Sequence, residues 1–206
     1  MIELTENLLE LLVVGICLTI ALLRAFRRRK KGWILLSFVY ASLFLGDLYW
    51  ALYLFFYHTT PTVFYVSEMS WCAAYLFMIL LLRYYQTDAE RGTRNPILVV
   101  IPIFVAAMTA FFMTRGSYLL NFIEAIIMVS LMLRSAQGLL YLREISDNRK
   151  YLYTVVLAFC LIEYAMWTSS CFWMGDTIEN PYFWFNALLI VIQPLFIRAV
   201  RKAEAE

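Results

Sequence analysis

Residues 44–77, FLGDLYWALYLFFYHTTPTVFYVSEMSWCAAYLF, predict two membrane-spanning helices joined by a short polar turn. Each of the two apolar and aromatic runs is long enough to cross a bilayer, which takes roughly 20 residues of helix. The runs also contain two acids, Asp47 and Glu68. A charged side chain at such a depth costs on the order of 2.5 to 3.5 kcal/mol on insertion scales. Both acids therefore need a compensating partner or a functional role.

The rest of the chain has the same membrane-protein character. Of its 206 residues 63% are hydrophobic and 16% are charged, against roughly 45–50% and 25% in ordinary soluble domains. We expect an all-α integral membrane bundle of seven transmembrane helices, which forms a single domain over residues 1–206 and contains no soluble catalytic domain. The predicted helices cover residues 8–26, 33–57, 61–82, 96–113, 118–141, 151–173 and 181–197.

Three of the predicted helix starts have the same local chemistry. Each consists of a side chain that can cap a helix, followed by a proline. The cap accepts a hydrogen bond from a free backbone N–H of the first turn, and proline lacks the N–H that would otherwise be unpaired there. The three pairs are Thr60-Pro61, Asn95-Pro96 and Asn180-Pro181.

The basic residues predict the orientation of the chain. All of the 17 Lys and Arg residues except Arg115 fall in the inner ends of the first, third, fifth and seventh predicted helices or in the segments that follow them. Because Lys and Arg accumulate on the cytoplasmic side, the N-terminus is expected outside and the C-terminus in the cytoplasm, in a multi-pass protein of the cell membrane. The run Arg24 to Lys31 lies beside a span and is interpreted as a topology signal, so no nucleic-acid partner is expected.

Four acids lie within the predicted spans. Asp47 and Glu163 are close to the middle of their helices, whereas Glu68 and Glu124 should lie roughly 9 to 12 Å from the outer ends. Glu10 lies near the outer interface, and the predicted spans contain no lysine to balance any of them. Each acid can be protonated, be hydrated in an outward-facing cavity, or bind a cation. The alternative is that they are hydrogen-bonded packing groups.

Helical spacing brings aromatic side chains close to these acids. Trp71 and Tyr75 share a helix face with Glu68, while Trp50 and Trp167 each lie one turn outward from an acid. A carboxylate near indole and phenol rings suits an organic cation, through charge pairing and cation–π contact. The predicted ligand-binding residues are Asp47, Trp50, Glu68, Trp71, Tyr75, Glu163, Trp167 and Asn186, and those predicted for proton or ion coupling are Asp47, Glu163 and Glu124.

The residues of the chain do not favour an enzyme. His58 is the single histidine, which excludes zinc sites built from several histidines, and no metal or other cofactor is expected. Gly46-Asp47 could form half of an intramembrane aspartyl protease dyad, but no second aspartate motif exists. An intramembrane enzyme is therefore the weakest of the alternatives, and no catalytic residue is assigned.

The helix pattern resembles two groups of membrane proteins. A lone fourth helix between two groups of three is similar to the layout of PQ-loop and SWEET-type transporters. In this chain Asp47-Leu48-Tyr49-Trp50 and Glu163-Tyr164-Ala165-Met166-Trp167 each place an acid before a tryptophan. The helix count also resembles rhodopsins and seven-helix receptors, although the last helix has no lysine for a retinal Schiff base.

Transport is the function that these features favour. We expect a small transporter with an outward-facing pocket between the second, third, sixth and seventh predicted helices, which binds a cationic or proton-coupled solute. The alternative is a receptor or sensor whose pocket occupancy is passed to a cytoplasmic protein partner at the basic inner loops. The lipid bilayer is the other expected partner.

Overall fold

The computed structural model describes residues 2–59, 61, 65–141, 147–173 and 175–205. Within these ranges the regular structure is helical and no strand is present. The elements are α1 (Ile2–Arg28), α2 (Lys31–Tyr57), α3 (Tyr65–Tyr85), α4 (Asp88–Arg91), a 3₁₀ helix (Pro96–Val99), α5 (Val100–Phe112), α6 (Tyr118–Leu140), α7 (Asp147–Ser170) and α8 (Pro181–Ala203).

Six of the described helices, α1, α2, α3, α6, α7 and α8, are long and apolar enough to cross a membrane. The chain is therefore a polytopic, all-helical membrane protein that contacts the lipid bilayer. The apolar helix Pro96–Phe112, made of the 3₁₀ turn and α5, is shorter. The crossing predicted for it, and with it the count of seven, stays a prediction.

The six long helices form a closed ring. Neighbours in the ring follow the order α1, α2, α3, α6, α7 and α8, and α8 packs back against α1. α5 lies outside the ring, against α6. In this arrangement α2 is opposite α7, α3 is opposite α8, and α1 is opposite α6. Residues that are far apart in the chain can therefore face one another across the centre.

Charged groups divide between the two ends of the ring. At one end, here called the basic end, Lys30 Nζ lies 2.9 Å from Glu204 Oε2, and Arg149 Nη1 lies 3.3 Å from Glu90 Oε1. At the opposite end, the acidic end, the backbone N–H of Glu3 donates to Asp176 Oδ1 at 3.0 Å. Which end faces the cytoplasm stays a prediction.

Two of the three predicted caps are confirmed. The Asn95 side chain accepts a hydrogen bond from the N–H of Ile97, and Asn180 does the same for Tyr182, each at 3.0 Å. Thr60, the third predicted cap, lies outside the described residues.

Several helices begin or end at residues other than the approximate bounds of the predicted spans. α1 begins at Ile2 rather than residue 8, and α2 begins at Lys31 rather than residue 33. α3 (Tyr65–Tyr85) ends at Tyr85 rather than residue 82, and Pro61, its predicted first residue, is not helical, while residues 62–64 lie outside the described ranges. α8 continues to Ala203, beyond the predicted end at residue 197, because basic side chains in a last turn interact favourably with the helix dipole.

The remaining helices differ from the prediction by a few residues at their ends. The 3₁₀ turn and α5 end at Phe112 rather than residue 113, and α6 ends at Leu140 rather than residue 141. α7 covers Asp147–Ser170 rather than 151–173, because the chain turns after Ser170 toward the loop that precedes α8.

The basic half of the ring is filled by large side chains. Trp33, Tyr40, Met78, Tyr153 and Phe196 each have at most 1% of their surface exposed. Packing is tight at Gly138, since a Cβ added there would overlap the Tyr153 ring. The basic half of the ring is therefore densely packed, whereas the polar cavity lies toward the acidic end.

Candidate functional site

A cavity of about 600 Å³ occupies the acidic half of the ring. Its lining begins at the acidic-end loops, with Arg115 and Asp176, and extends down to Gln193 on α8. Gln193 is roughly 18 Å from the start of α8, at 1.5 Å per residue. The cavity therefore reaches about half-way through a bilayer whose hydrocarbon core is roughly 30 Å thick.

Every residue predicted to bind a ligand or to couple an ion lines this one cavity. The structure brings together Asp47, Trp50, Glu68, Trp71, Tyr75, Glu124, Glu163, Trp167 and Asn186. That these residues bind a solute stays a prediction. More helices line the cavity than the four expected, because α1 and α6 also contribute side chains, for example Glu10 and Asn121. The closed ring explains the difference, since it places all six long helices around one centre.

Among the described residues, one of the two carboxyl oxygens of Asp47 accepts a hydrogen bond and the other does not. The side chain is 5% exposed, and its Oδ1 accepts a hydrogen bond from Trp71 Nε1 at 3.0 Å. Its Oδ2 is buried and has no hydrogen-bond partner among the described residues. The indole approaches so closely because residue 46 is glycine: a Cβ there would lie 2.7 Å from Trp71 Nε1.

Glu163 repeats this arrangement on the opposite wall. It is also 5% exposed, and its Oε1 accepts a hydrogen bond from the Tyr75 hydroxyl at 2.9 Å. Its Oε2 likewise lacks a partner within the described part of the chain. Trp71 and Tyr75 are one turn apart on α3, so a single helix face positions both acids.

The partners of these acids differ from those that helical spacing indicated. Trp50 and Trp167 lie on the same helices as Asp47 and Glu163, yet the hydrogen bonds to the acids come from α3. Trp50 packs against Trp71, with ring centroids 5.9 Å apart. Trp167 packs against Phe112 and Tyr164. The sequence contains no signal for these pairings, because they depend on which helices become neighbours.

The floor of the cavity contains a further polar group. Gln193 is 2% exposed, and its side-chain Oε1 has no partner in the described ranges. Its backbone carbonyl accepts a hydrogen bond from the hydroxyl of Tyr40, which is fully buried. Above the floor, Asn186 donates to Glu10 Oε2 at 3.0 Å and so joins α8 to α1.

Acidic groups dominate the charged part of the cavity lining. Among the described lining residues Arg115 is the one basic side chain, and its guanidinium lies 5.7 Å from the ring centres of Phe111 and Phe172. A buried carboxylate without a partner is unfavourable by several kcal/mol. The free oxygens of Asp47 and Glu163 therefore favour a bound proton or a bound cation. The seven acidic lining residues are Glu3, Glu10, Asp47, Glu68, Glu124, Glu163 and Asp176.

The carboxyl groups are distributed around the ring rather than gathered at one point. In the described parts of the chain, no three His, Cys, Asp or Glu side chains stand close enough to hold a metal ion. His58 follows α2 in a left-handed backbone conformation.

No protein-family model, no curated protein and no solved structure matches this chain. The geometry of the cavity is therefore the basis for a functional interpretation.

Proposed function

We propose that the protein binds a small organic cation in the cavity and carries it across the membrane in exchange for protons. One observation carries this proposal. Asp47 and Glu163 are buried on opposite walls of one cavity, and each has a carboxyl oxygen that no described residue satisfies. The oxygens of a buried carboxyl group that serves packing are normally hydrogen-bonded, because an unsatisfied buried acceptor costs about 1–3 kcal/mol.

The side chains around the two acids support an organic cation as the ligand. Trp50, Trp71 and Trp167 line the cavity together with Tyr75 and Phe159. Aromatic faces attract ammonium groups, with a contribution of about 2 kcal/mol in desolvated sites. Together the rings and the carboxyl groups offer both an apolar surface and an anionic partner for an alkylammonium ion.

Proton exchange accounts for the stability of the site when no solute is bound. In that state the free oxygens of Asp47 and Glu163 carry protons, and the buried groups are neutral. An arriving ammonium group pairs with the carboxylate, and the proton leaves to water. Glu124, which lines the same cavity, can relay this proton toward the acidic end.

Our proposal includes seven membrane crossings, with the acidic end outside. The helix Pro96–Phe112 has 17 residues, which give about 26 Å at 1.5 Å per residue, close to the hydrocarbon thickness. It follows α4 at the basic end and finishes where Phe112 packs on Trp167 beside the cavity. An odd number of crossings places the termini on opposite sides and all basic loops in the cytoplasm, in agreement with the positive-inside rule.

Accessibility of single cysteines tests the seven crossings. Arg94 and Tyr118, one before and one after the helix Pro96–Phe112, are exposed. In a Cys171→Ser background, where the other three cysteines are buried, Tyr118→Cys should react with an impermeant maleimide in intact cells. Arg94→Cys should react only after permeabilisation. Labelling of both from the same side would exclude a crossing between them.

Transport is tested with the purified protein in liposomes. A labelled alkylamine should accumulate when a proton gradient is imposed, and the flux should be lost in Asp47→Asn and Glu163→Gln. The matched control is Glu179→Gln, which removes an exposed carboxyl near the acidic end that does not line the cavity. Flux in wild type that equals flux in protein-free liposomes would contradict the transport proposal.

A sensor is the second candidate, and one feature favours it. Below Gln193 the ring is closed by buried side chains, and its basic end is tied together by the Lys30–Glu204 and Arg149–Glu90 ion pairs. A cavity closed on one side can report its occupancy without releasing the ligand, through a cytoplasmic partner at the basic loops. Amine binding without any flux in liposomes would support the sensor and exclude the transporter.

A further inference from the structure

We infer that the ligand is a linear diamine or polyamine, whose two ammonium groups pair with Asp47 on one wall and with Glu163 on the opposite wall. This inference rests on the proposed binding of an organic cation. It identifies the class of solute, which the presence of acids alone does not.

The two carboxyl groups are equivalent in chemistry and in burial. Each has one oxygen fixed by an aromatic donor of α3, and each leaves the other oxygen unpaired within the described residues. A monoamine pairs with one of these oxygens and leaves the second wall unsatisfied. A ligand with two ammonium groups satisfies both walls at once.

Their position in the ring separates the two acids. α2 and α7, which carry Asp47 and Glu163, are opposite one another and, among the described residues, are not neighbours in the ring. The two donors, Trp71 and Tyr75, are four residues apart, which separates them by about 6 Å along the axis of α3. The two oxygens that are unpaired within the described residues therefore present two binding positions at different depths.

Apolar side chains contribute to the lining of the same cavity. Leu43, Phe159, Met166 and Leu189 are part of the lining, and the Phe159 ring lies 5.8 Å from the ring of Tyr75. Such a surface suits a chain of methylene groups, which gains about 0.8 kcal/mol per buried CH₂. Gln193 Oε1 at the floor is a third acceptor that no described residue satisfies, and it offers a site for an additional amine of a polyamine.

The proton balance of binding differs between one and two ammonium groups. Each carboxylic acid that pairs with an ammonium group loses its proton to water and becomes a carboxylate, while the ammonium group keeps its charge. A diamine therefore releases two protons, and a monoamine releases one. This difference provides a readout that is independent of affinity.

The test is a series of α,ω-diaminoalkanes of increasing chain length, each compared with the alkyl monoamine of the same carbon count. Binding to the purified wild-type chain is measured by titration calorimetry, and proton release is measured in weak buffer. We expect affinity to reach a maximum at one chain length, where the diamine binds about 10-fold to 100-fold more tightly than its monoamine, because a second charge-assisted hydrogen bond forms. Proton release should double at that length.

Substitution of each acid in turn tests the two ammonium-binding positions independently. Asp47→Asn and Glu163→Gln should each reduce diamine affinity to that of the monoamine and halve the proton release. Both keep an oxygen that can accept from Trp71 or Tyr75, so the wall geometry is preserved. Glu179→Gln, the control outside the cavity, should bind the diamine as wild type does.

The possible failures are distinguishable. Diamines that bind no more tightly than monoamines at any length would overturn this inference and leave the proposed cation binding intact. Affinity that rises steadily with chain length, without a maximum, would also overturn it, because it would reflect hydrophobic transfer alone. Wild-type protein that binds neither class of amine would overturn the proposed function itself.

Discussion

Buried acids at the two ends of the ring have opposite surroundings. Glu90 at the basic end is fully buried, pairs with Arg149, and accepts a hydrogen bond from the backbone N–H of Thr87. Asp47 and Glu163 in the cavity are buried almost as deeply, yet each leaves one oxygen without a partner among the described residues. Burial of an acid is therefore not a functional signal by itself. The informative feature is the hydrogen-bonding capacity that the protein leaves unused.

The local chain explains why the two ends differ. Glu90 lies three residues after Thr87 in a capping box that begins α4, so its position is set by its own segment. Asp47 and Glu163 lie inside long helices, where the backbone is already hydrogen-bonded to itself. Their partners must therefore come from other helices, and α3 supplies one donor to each.

The largest expected effect is on stability, and it distinguishes the ion-paired acid Glu90 from the cavity acid Glu163. Glu90→Gln removes the carboxylate with which Arg149 pairs, and should destabilise the protein by about 3 kcal/mol. This corresponds to a fall of roughly 6–12 °C in melting temperature. Glu163→Gln in ligand-free protein should melt at the wild-type temperature or above it, because the amide oxygen still accepts from Tyr75. Thermal unfolding in detergent measures both.

Equal destabilisation by the two substitutions would contradict the comparison. It would mean that the second oxygen of Glu163 has a stabilising partner, as that of Glu90 has.

The next effect is on the geometry of the cavity wall. Gly46→Ala places a Cβ 2.7 Å from Trp71 Nε1, so the indole must move away from Asp47. We expect overpacking of about 1–3 kcal/mol and a loss of amine affinity of roughly 10-fold. Gly15→Ala is the control, since its Cβ would meet only the edge of the Phe44 ring at 3.2 Å. Unchanged amine affinity in Gly46→Ala would show that the Trp71–Asp47 bond has no role in binding.

A smaller effect is expected at the basic end. Glu204→Gln removes the charge that pairs with Lys30 but retains an acceptor for the Tyr85 hydroxyl, which lies 2.7 Å from Glu204 Oε1. Because the Lys30 side chain is 47% exposed, the expected loss of stability is about 0.5–1 kcal/mol. Amine affinity should not change. A change in affinity would show instead that the two ends are energetically coupled.

The smallest effect is expected at Arg115, the basic residue among the described residues that line the cavity. Arg115→Gln removes a positive charge near the mouth and should raise amine affinity about two-fold at low salt, because repulsion of the entering cation is lost. Salt should reduce this gain. Arg94→Gln, which removes an exposed charge before the helix Pro96–Phe112, is the control and should not alter affinity. A gain in both variants would assign the effect to net charge rather than to the cavity.

Several features could be predicted from the chain because they depend on residues that are close in sequence. The caps at Asn95 and Asn180 were predicted from two adjacent residues and are confirmed. Membrane insertion follows from long apolar runs, and the presence of intramembrane acids follows from their positions within those runs. The ends of helices such as α1 and α8 were predicted less well, since a helix continues into water wherever its side chains permit.

The positions of the two acids relative to each other, and their hydrogen-bond partners, depended on the tertiary structure alone. The sequence determined that Asp47 and Glu163 lie within apolar helices, because hydrophobicity and helical rise are properties of consecutive residues. Closure of the ring decided that α2 faces α7 and that Trp71 and Tyr75 of α3 bind these two acids. Helix neighbours are selected by the packing of whole surfaces, such as the close approach of Trp71 at Gly46, and this selection has no local pattern from which it could be predicted.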